Sequence, residues 1–349
     1  MDSHSDQMPA RRRRGVATTL ILGVCTAIAV TTAPTAAAQP TGAAIVSEQQ
    51  GPDRRIDIEV YSPSMDRNIP LQVLRPMDSD RPAPTLYLLN GAGGGEDGAS
   101  WQGQTDVAQF FADKHVTVVT PMEGAFSYYT DWRNTDPGLA KTNDNNGRNM
   151  WTTFLTRELP PVIDSAFATT GENSLAGLSM TGTAVLDLAI QAPTLYRSVA
   201  SYSGCAMSSE MPGRQFVTMV VGAGSGKAEN MWGPPGDPEW TARDPYVNAA
   251  RLPRIPIYVS NGSGLPGPHD TLGNPRLKGY WLTLGSQIVV GGVIESATNY
   301  CTHRLADRTR ELGMDNVVFD FRPAGTHSWG YWQDDLHASW PMIARSLGI

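Results

Sequence analysis

Cysteine is scarce in this chain, three in 349 residues. There is no C-x-x-C pair and no close pair of histidines, so the spacing of a zinc module is missing. Positive charge is outnumbered: 27 Lys and Arg stand against 34 Asp and Glu, a formal net charge of −7. Nucleic-acid binding needs a basic face, and that class is excluded. No apolar run reaches the roughly 20 residues of a membrane span. Charged residues are few at 17%, yet 35 Gly, 26 Pro and 9 Trp describe a loop-rich globular protein rather than a coil or a disordered chain.

The one dense basic run, Arg11–Arg14, precedes the apolar stretch Val16–Val30 and then small residues up to Ala36-Ala37-Ala38. A positive end, an apolar centre and a small-residue site make a signal peptide over residues 1–38, cleaved after Ala38. The protein is therefore expected outside the plasma membrane, secreted or held in the cell envelope. Cys25 leaves with the signal, and the remaining pair, Cys205 and Cys301, is expected to form a disulfide in that oxidising setting. Residues 39–52 read as a flexible lead-in and residues 53–349 as a single domain.

From Asp53 onward short apolar runs alternate with helical patterns. Strands are expected at Ile56–Tyr61, Ile69–Leu74, Thr85–Leu89, Val116–Thr120, Ser174–Leu178, Ser198–Tyr202, Val217–Val221, Ile257–Ser260 and Val317–Arg322. Helices are expected over Trp151–Ala168, kinked or restarted at Pro160-Pro161, over Met180–Gln191, over Val293–Leu312 and after Trp329. This alternation implies an α/β fold with a mostly parallel sheet covered on both faces. Gly222–Tyr280 is rich in Gly and Pro, and reads as an excursion that walls a cleft.

The chemistry-bearing signal is Gly177-Leu178-Ser179-Met180-Thr181-Gly182 between a strand and a helix. Such a sharp turn lifts the serine oxygen above the sheet, where it can attack a carbonyl. The pattern departs from G-x-S-x-G, with Thr181 in the second glycine's place and Gly182 one residue on. A serine that only caps its helix is the simpler alternative. A nucleophilic serine needs a base. His327, in Gly325-Thr326-His327-Ser328-Trp329 after the last strand, is placed for it, whereas His269, His303 and His337 fall in the excursion or in helices. The acid must lie between serine and histidine, and Asp237, Asp244, Asp270 and Glu295 all qualify. Backbone N–H groups for an oxyanion are expected from Met180 and from the loop Asn90-Gly91-Ala92-Gly93-Gly94-Gly95. That loop also contains a G-x-G-x-x-G match, but Glu96 and Asp97 would face a pyrophosphate and no G-K-[ST] follows. No cofactor or metal is implied.

These residues resemble the mycolyltransferases of the antigen 85 type, in the α/β-hydrolase superfamily. The resemblance spans roughly residues 55–345. It rests on Tyr87–Gly91, Phe126–Trp132, Trp151–Pro160, Gly177–Met180, Asn230–Pro234 and Gly325–Trp332. It implies an α/β-hydrolase fold and a Ser179–His327–Glu295 relay, with oxyanion donors at Ala92 and Met180. It also sets Asn90, Trp232 and Trp329 against the substrate. The implied reaction moves a mycolyl group from trehalose monomycolate to a hydroxyl acceptor: a trehalose conjugate, arabinogalactan or an envelope protein. A secreted carboxylesterase, or a non-catalytic envelope-binding protein, are the alternatives on the same scaffold. Three departures stand out. Asn90 and Gly93 replace an Asp and an Arg that contact trehalose in the family. Lys141–Arg148 replaces a cysteine-bounded loop. Cys205 and Cys301 are additional.

Overall fold

A computed structural model describes residues 42–349, so the expected signal segment and its cleavage site lie outside the described residues. Nine strands form one sheet in the order β1-β2-β3-β5-β4-β6-β7-β8-β9. They are β1 Ala44–Gln50, β2 Arg55–Ser62, β3 Arg67–Leu74, β4 Thr85–Leu89, β5 Thr117–Pro121, β6 Asn173–Leu178, β7 Tyr196–Tyr202, β8 Ile257–Asn261 and β9 Val317–Phe321. The first three run antiparallel, β3 pairs antiparallel with β5, and β5 through β9 pair in parallel. The sheet is therefore mostly parallel, flanked by helices, as the sequence pattern predicts.

Every residue of β4, β5 and β6 is buried. Crossover helices on both faces demand this, and it explains why these strands read as unbroken apolar runs. Alternation survives in the packing. Tyr87 and Leu89 enter the core on one face, with Trp151, Phe154 and Val185. Leu86 and Leu88 enter the other, with Trp101, Trp332 and Ile343 of the last helix, Trp329–Leu347.

Several elements differ from the sequence reading. Residues 44–50, expected within a flexible lead-in, form edge strand β1, paired from Ala44↔Tyr61 to Gln50↔Ile56. Most of its side chains are exposed, so backbone hydrogen bonds hold it and no apolar pattern announces it. Val217–Val221, expected as a strand, lies inside the helix Gly213–Ala223. Its buried residues are Gly213, Val217 and Val221, a four-residue period that packing selects over the β-propensity of valine. The helix from Trp151 restarts as expected: a π-turn at Phe154–Glu158 precedes Leu159–Phe167, whose first turn takes the prolines that cannot donate an N–H. The strand expected at Ile257–Ser260 is present as β8, and it divides the Gly/Pro-rich stretch Gly222–Tyr280 into two connections.

The described residues form one compact unit. The strand order sets the carboxyl ends of β4 and β6 side by side, with Leu89 opposite Gly177. The ends of β7, β8 and β9 follow in sequence beyond them. Everything described next hangs from these five strand ends.

Candidate active site

Ser179 occupies the turn between β6 and the helix Met180–Gln191 with φ 57° and ψ −121°, a backbone that a non-glycine residue adopts only when its surroundings force it. The crowding has a clear origin. A side chain at Gly177 would come within 2.6 Å of Thr181 Oγ1, and one at Gly182 within 2.7 Å of the Tyr202 carbonyl. Gly182 is thus where the helix backbone touches the end of β7. Thr181, in the place of the usual glycine, turns inward: its hydroxyl donates to the Leu178 carbonyl at 3.0 Å and accepts from the Leu178 N–H at 2.9 Å.

Ser179 makes no side-chain capping bond to its helix. Its Oγ lies instead 2.7 Å from His327 Nε2, and His327 Nδ1 lies 2.8 Å from Glu295 Oε2. A carboxylate can only accept, so Nδ1 carries the proton, and Nε2 is left to accept the serine O–H. The His327 side chain is 9% exposed, and that of Glu295 is fully buried. The imidazole packs edge-on against Trp332 at 4.9 Å, and the His327 N–H donates to the Gly291 carbonyl at 3.2 Å.

Glu295 sits in the first turn of the long helix Gly292–Glu311, which follows the helical turns Trp281–Ser286 and a π-turn, Gln287–Gly291. Its second oxygen accepts from Ser203 Oγ at 2.8 Å, Asn261 Nδ2 at 2.9 Å and the Gly262 N–H at 2.6 Å. Trp332 Nε1 in turn donates to Ser203 Oγ at 3.0 Å. Three donors and the imidazole satisfy a buried charge that would otherwise be costly to hold. The sequence reading missed Ser203, Asn261 and Gly262. Their one legible signal is that each stands at the carboxyl end of β7 or β8.

The other acid candidates have different work. Asp237 caps the turn Pro238–Ala242 and binds Arg133 through both oxygens. Asp244 accepts from Ser209 and the Val247 N–H. Asp270 accepts from Gln287, Thr326, Tyr331 and the Gly267 N–H. Burial alone would raise its pKa, but these donors bring it below the ordinary carboxylate value. It ties the π-turn ahead of Glu295 to the residue before His327. The other histidines are also engaged, His269 with Asp334, His337 with Asp106, and His303 stacked on Phe321.

The glycine-rich loop after β4 comes close to the serine. A side chain at Gly91 would lie 2.8 Å from Leu178 Cδ1 and 3.8 Å from Ser179 Cβ. The Met180 N–H opens its helix and has no acceptor within it. The Ala92 N–H makes no backbone hydrogen bond among the described residues, while the Ala92 carbonyl takes the Phe126 N–H. Glu96 anchors the loop by accepting from the Gly124 and Ala125 N–H groups at 2.8 and 2.9 Å.

Two of the residues expected at the substrate are buried and engaged by the protein itself. Asn90 is fully buried, with its amide donating to the Gly94 and Pro121 carbonyls and its oxygen accepting from the Trp101 N–H. The loop fold consumes this side chain. Trp232 is buried against Tyr128 and Trp240, and its Nε1 faces Thr130 Oγ1. Trp329, by contrast, lines a cavity of about 390 Å³ beside His327, together with Arg276, Gln287, Val290, Ile294 and Trp332. A side chain at Gly93 would meet the exposed Asp97 carboxylate, which would have to turn aside to admit it.

Cys205 and Cys301 are disulfide-bonded, with Cα atoms 5.0 Å apart. The bond joins the chain just past Ser203 to the helix that carries Glu295.

The comparisons with known proteins agree with this architecture. The family model Esterase matches residues 62–343. The chain is 34% identical over 297 residues to the diacylglycerol acyltransferase/mycolyltransferase Ag85A of Mycobacterium leprae, covering 83% of each protein. It is also 34% identical over 301 residues to Ag85B of Mycolicibacterium smegmatis, covering 83% of this chain and 84% of that one. The crystal structure of Mycobacterium tuberculosis MPT51 superposes with a TM-score of 0.66 at 24% identity, over 82% of this chain and 96% of that one, a likeness of fold. With more than four-fifths of its length matched at such identity, the chain belongs to the esterase family and, within it, to the Ag85 mycolyltransferases.

Proposed function

We propose that this protein is an exported serine acyltransferase that takes a mycolyl or similar long acyl group from a trehalose ester and passes it to a hydroxyl acceptor. The observation that carries the reading is the unbroken hydrogen-bonded chain from Ser179 Oγ through His327 to the buried Glu295, beside a cavity walled by tryptophan and aliphatic side chains. Ser179 Oγ attacks the ester carbonyl as His327 Nε2 takes its proton. The carbonyl oxygen gains negative charge and is met by the N–H groups of Ala92 and Met180. As the bond to the sugar oxygen breaks, His327 protonates that oxygen, which leaves as a hydroxyl, and an acyl-serine remains. An acceptor hydroxyl gives its proton to His327 and attacks that ester. As the bond from the acyl carbon to Ser179 Oγ breaks, His327 returns the proton to Oγ and the serine is restored.

The acceptor side departs from the family's trehalose-contacting pattern, whose Asp and Arg are replaced here by Asn90 and Gly93. Asn90 is engaged by its loop and position 93 has no side chain, while the cavity wall beside His327 carries Arg276 and Gln287, which are themselves held by Gln104, Gln333, His269 and Asp270. We assign the acceptor as a sugar or protein hydroxyl of the cell envelope, reached after removal of residues 1–38. The test is mass spectrometry of the enzyme incubated with trehalose monomycolate and a mixture of sugar and hydroxyl-peptide acceptors. Acylated Ser179 and an acylated acceptor are expected. Free acid as the sole product would make the protein an esterase, and an unlabelled Ser179 would leave it a binding protein.

A further inference from the structure

Among the described residues, large exposed apolar side chains are scattered singly except along one segment. Tyr280, Trp281, Leu282, Val289 and Val293 are each 65% to 70% exposed, and Val290 and Ile294 beside them are 54% and 42% exposed. They belong to the helical run through Trp281–Ser286, the π-turn Gln287–Gly291 and the start of Gly292–Glu311. The turns Trp281–Ser286 bury no residue at all. No charged residue occurs from Gly279 to Ile294, whereas Arg276 and Lys278 stand just before this stretch. Such a surface would be expected to drive association with something apolar.

We propose that this helical segment docks into a lipid layer and brings the cavity beside His327 to the layer's surface. Three features favour lipid over a protein partner. The backbone is helical, so its polar groups are satisfied within the segment when water is removed. Tyr280 and Trp281 lie at one end next to exposed Lys278, the arrangement of amphipathic rings and a cation that settles at a headgroup boundary. The other end runs into the site: Val290 and Ile294 line the 390 Å³ cavity, and Glu295 follows directly. A second copy of the chain seated here would cover the mouth of that cavity. A lipid layer would open onto it and supply long-chain substrate. No helix among the described residues is long and apolar enough to cross a membrane, so the segment lies in the interface rather than spanning it.

Docking requires no acyl transfer, so its test stands apart from the proposed reaction. The chain as made by its host is mixed with vesicles of phosphatidylcholine and phosphatidylglycerol carrying brominated acyl chains. Bromine is expected to quench a share of the tryptophan emission, and Trp281→Phe is expected to remove that share. A Leu282→Asp, Val293→Asp double variant is expected to bind vesicles at least tenfold more weakly while cleaving p-nitrophenyl acetate at the wild-type rate. Both substitutions fall on exposed positions, so the fold should survive them. Quenching unchanged in Trp281→Phe overturns the proposal, as does wild-type vesicle affinity in the double variant. A dimer in sedimentation that the double variant abolishes also overturns it, by assigning the patch to a second copy.

Discussion

Glu295 uses its two oxygens differently, and that asymmetry sets what a single substitution should do. Oε1 takes three donors and Oε2 takes the imidazole N–H. In Glu295→Gln the amide oxygen must stay with the three donors, so its NH₂ turns toward His327 Nδ1. The histidine is pushed to the tautomer whose Nε2 carries a proton, which cannot accept from Ser179. Turnover of an ester substrate is expected to fall by roughly 10⁴, with little change in a thermal melt. Ser179→Ala is expected to abolish acyl-enzyme formation. Asp270→Asn is expected to act differently, because Asp270 meets four donors and not the imidazole. It should cost about 2 kcal/mol in urea unfolding and leave turnover measurable. Near-normal activity in Glu295→Gln, with loss in Asp270→Asn, would reverse these assignments.

At the scale of elements, the acid's helix is held from two sides. A π-turn leads into it, with Gln287 bound to Asp270, and the Cys205–Cys301 disulfide pins it to the chain beyond β7. Cys301 lies six residues past Glu295 on the same helix, so the bond constrains the placement of Glu295 as well as the fold. The two cysteines are 96 residues apart in sequence. Closing a loop of that size restricts the unfolded chain by roughly 4 to 5 kcal/mol, an upper figure. The Cys205→Ser, Cys301→Ser pair is expected to lower the urea midpoint substantially and to reduce turnover at temperatures where the variant remains folded. Equal midpoints for the wild type and the variant would remove the bond from the stability account.

For the whole molecule, acid dependence of stability should carry the signature of Asp187, in the helix after Ser179. Burial raises its pKa to about 6, with Arg243 and Gln191 offsetting part of the effect. In the unfolded chain it ionises near the ordinary value of 3.8. Between these values the folded protein holds a proton that the unfolded chain has released, so this carboxyl favours folding below pH 4. Its contribution is lost as pH rises through about 6. The loss is about 3 kcal/mol at most. Urea midpoints measured from pH 4 to 7 should therefore fall less steeply for Asp187→Asn than for the wild type. Parallel curves would exclude Asp187 as the source.

The sequence alone determined the α/β class, and it pointed to Ser179 at a strand–helix turn and to His327 after the last strand, because each is written in a local pattern of strand, turn and helix. It also narrowed the acid to four carboxylates. Local pattern could not separate them, and the family resemblance implied Glu295. The tertiary structure is what sets Glu295, and none of the other three, against the His327 imidazole, because a carboxylate's distant partners are not encoded in its neighbours. The same reason hid Ser203, Asn261 and Gly262, which reach Glu295 only because β7 and β8 lie side by side. Nor does the sequence disclose that the side chains of Asn90 and Trp232, residue types that suit a substrate, are turned inward by packing. Strand β1 and the helix at Val217 were misread for a related cause. An exposed edge strand is held by its backbone, and a run of valines takes whichever period its neighbours bury. Residues declare their chemistry locally, whereas burial and partnership belong to the whole chain.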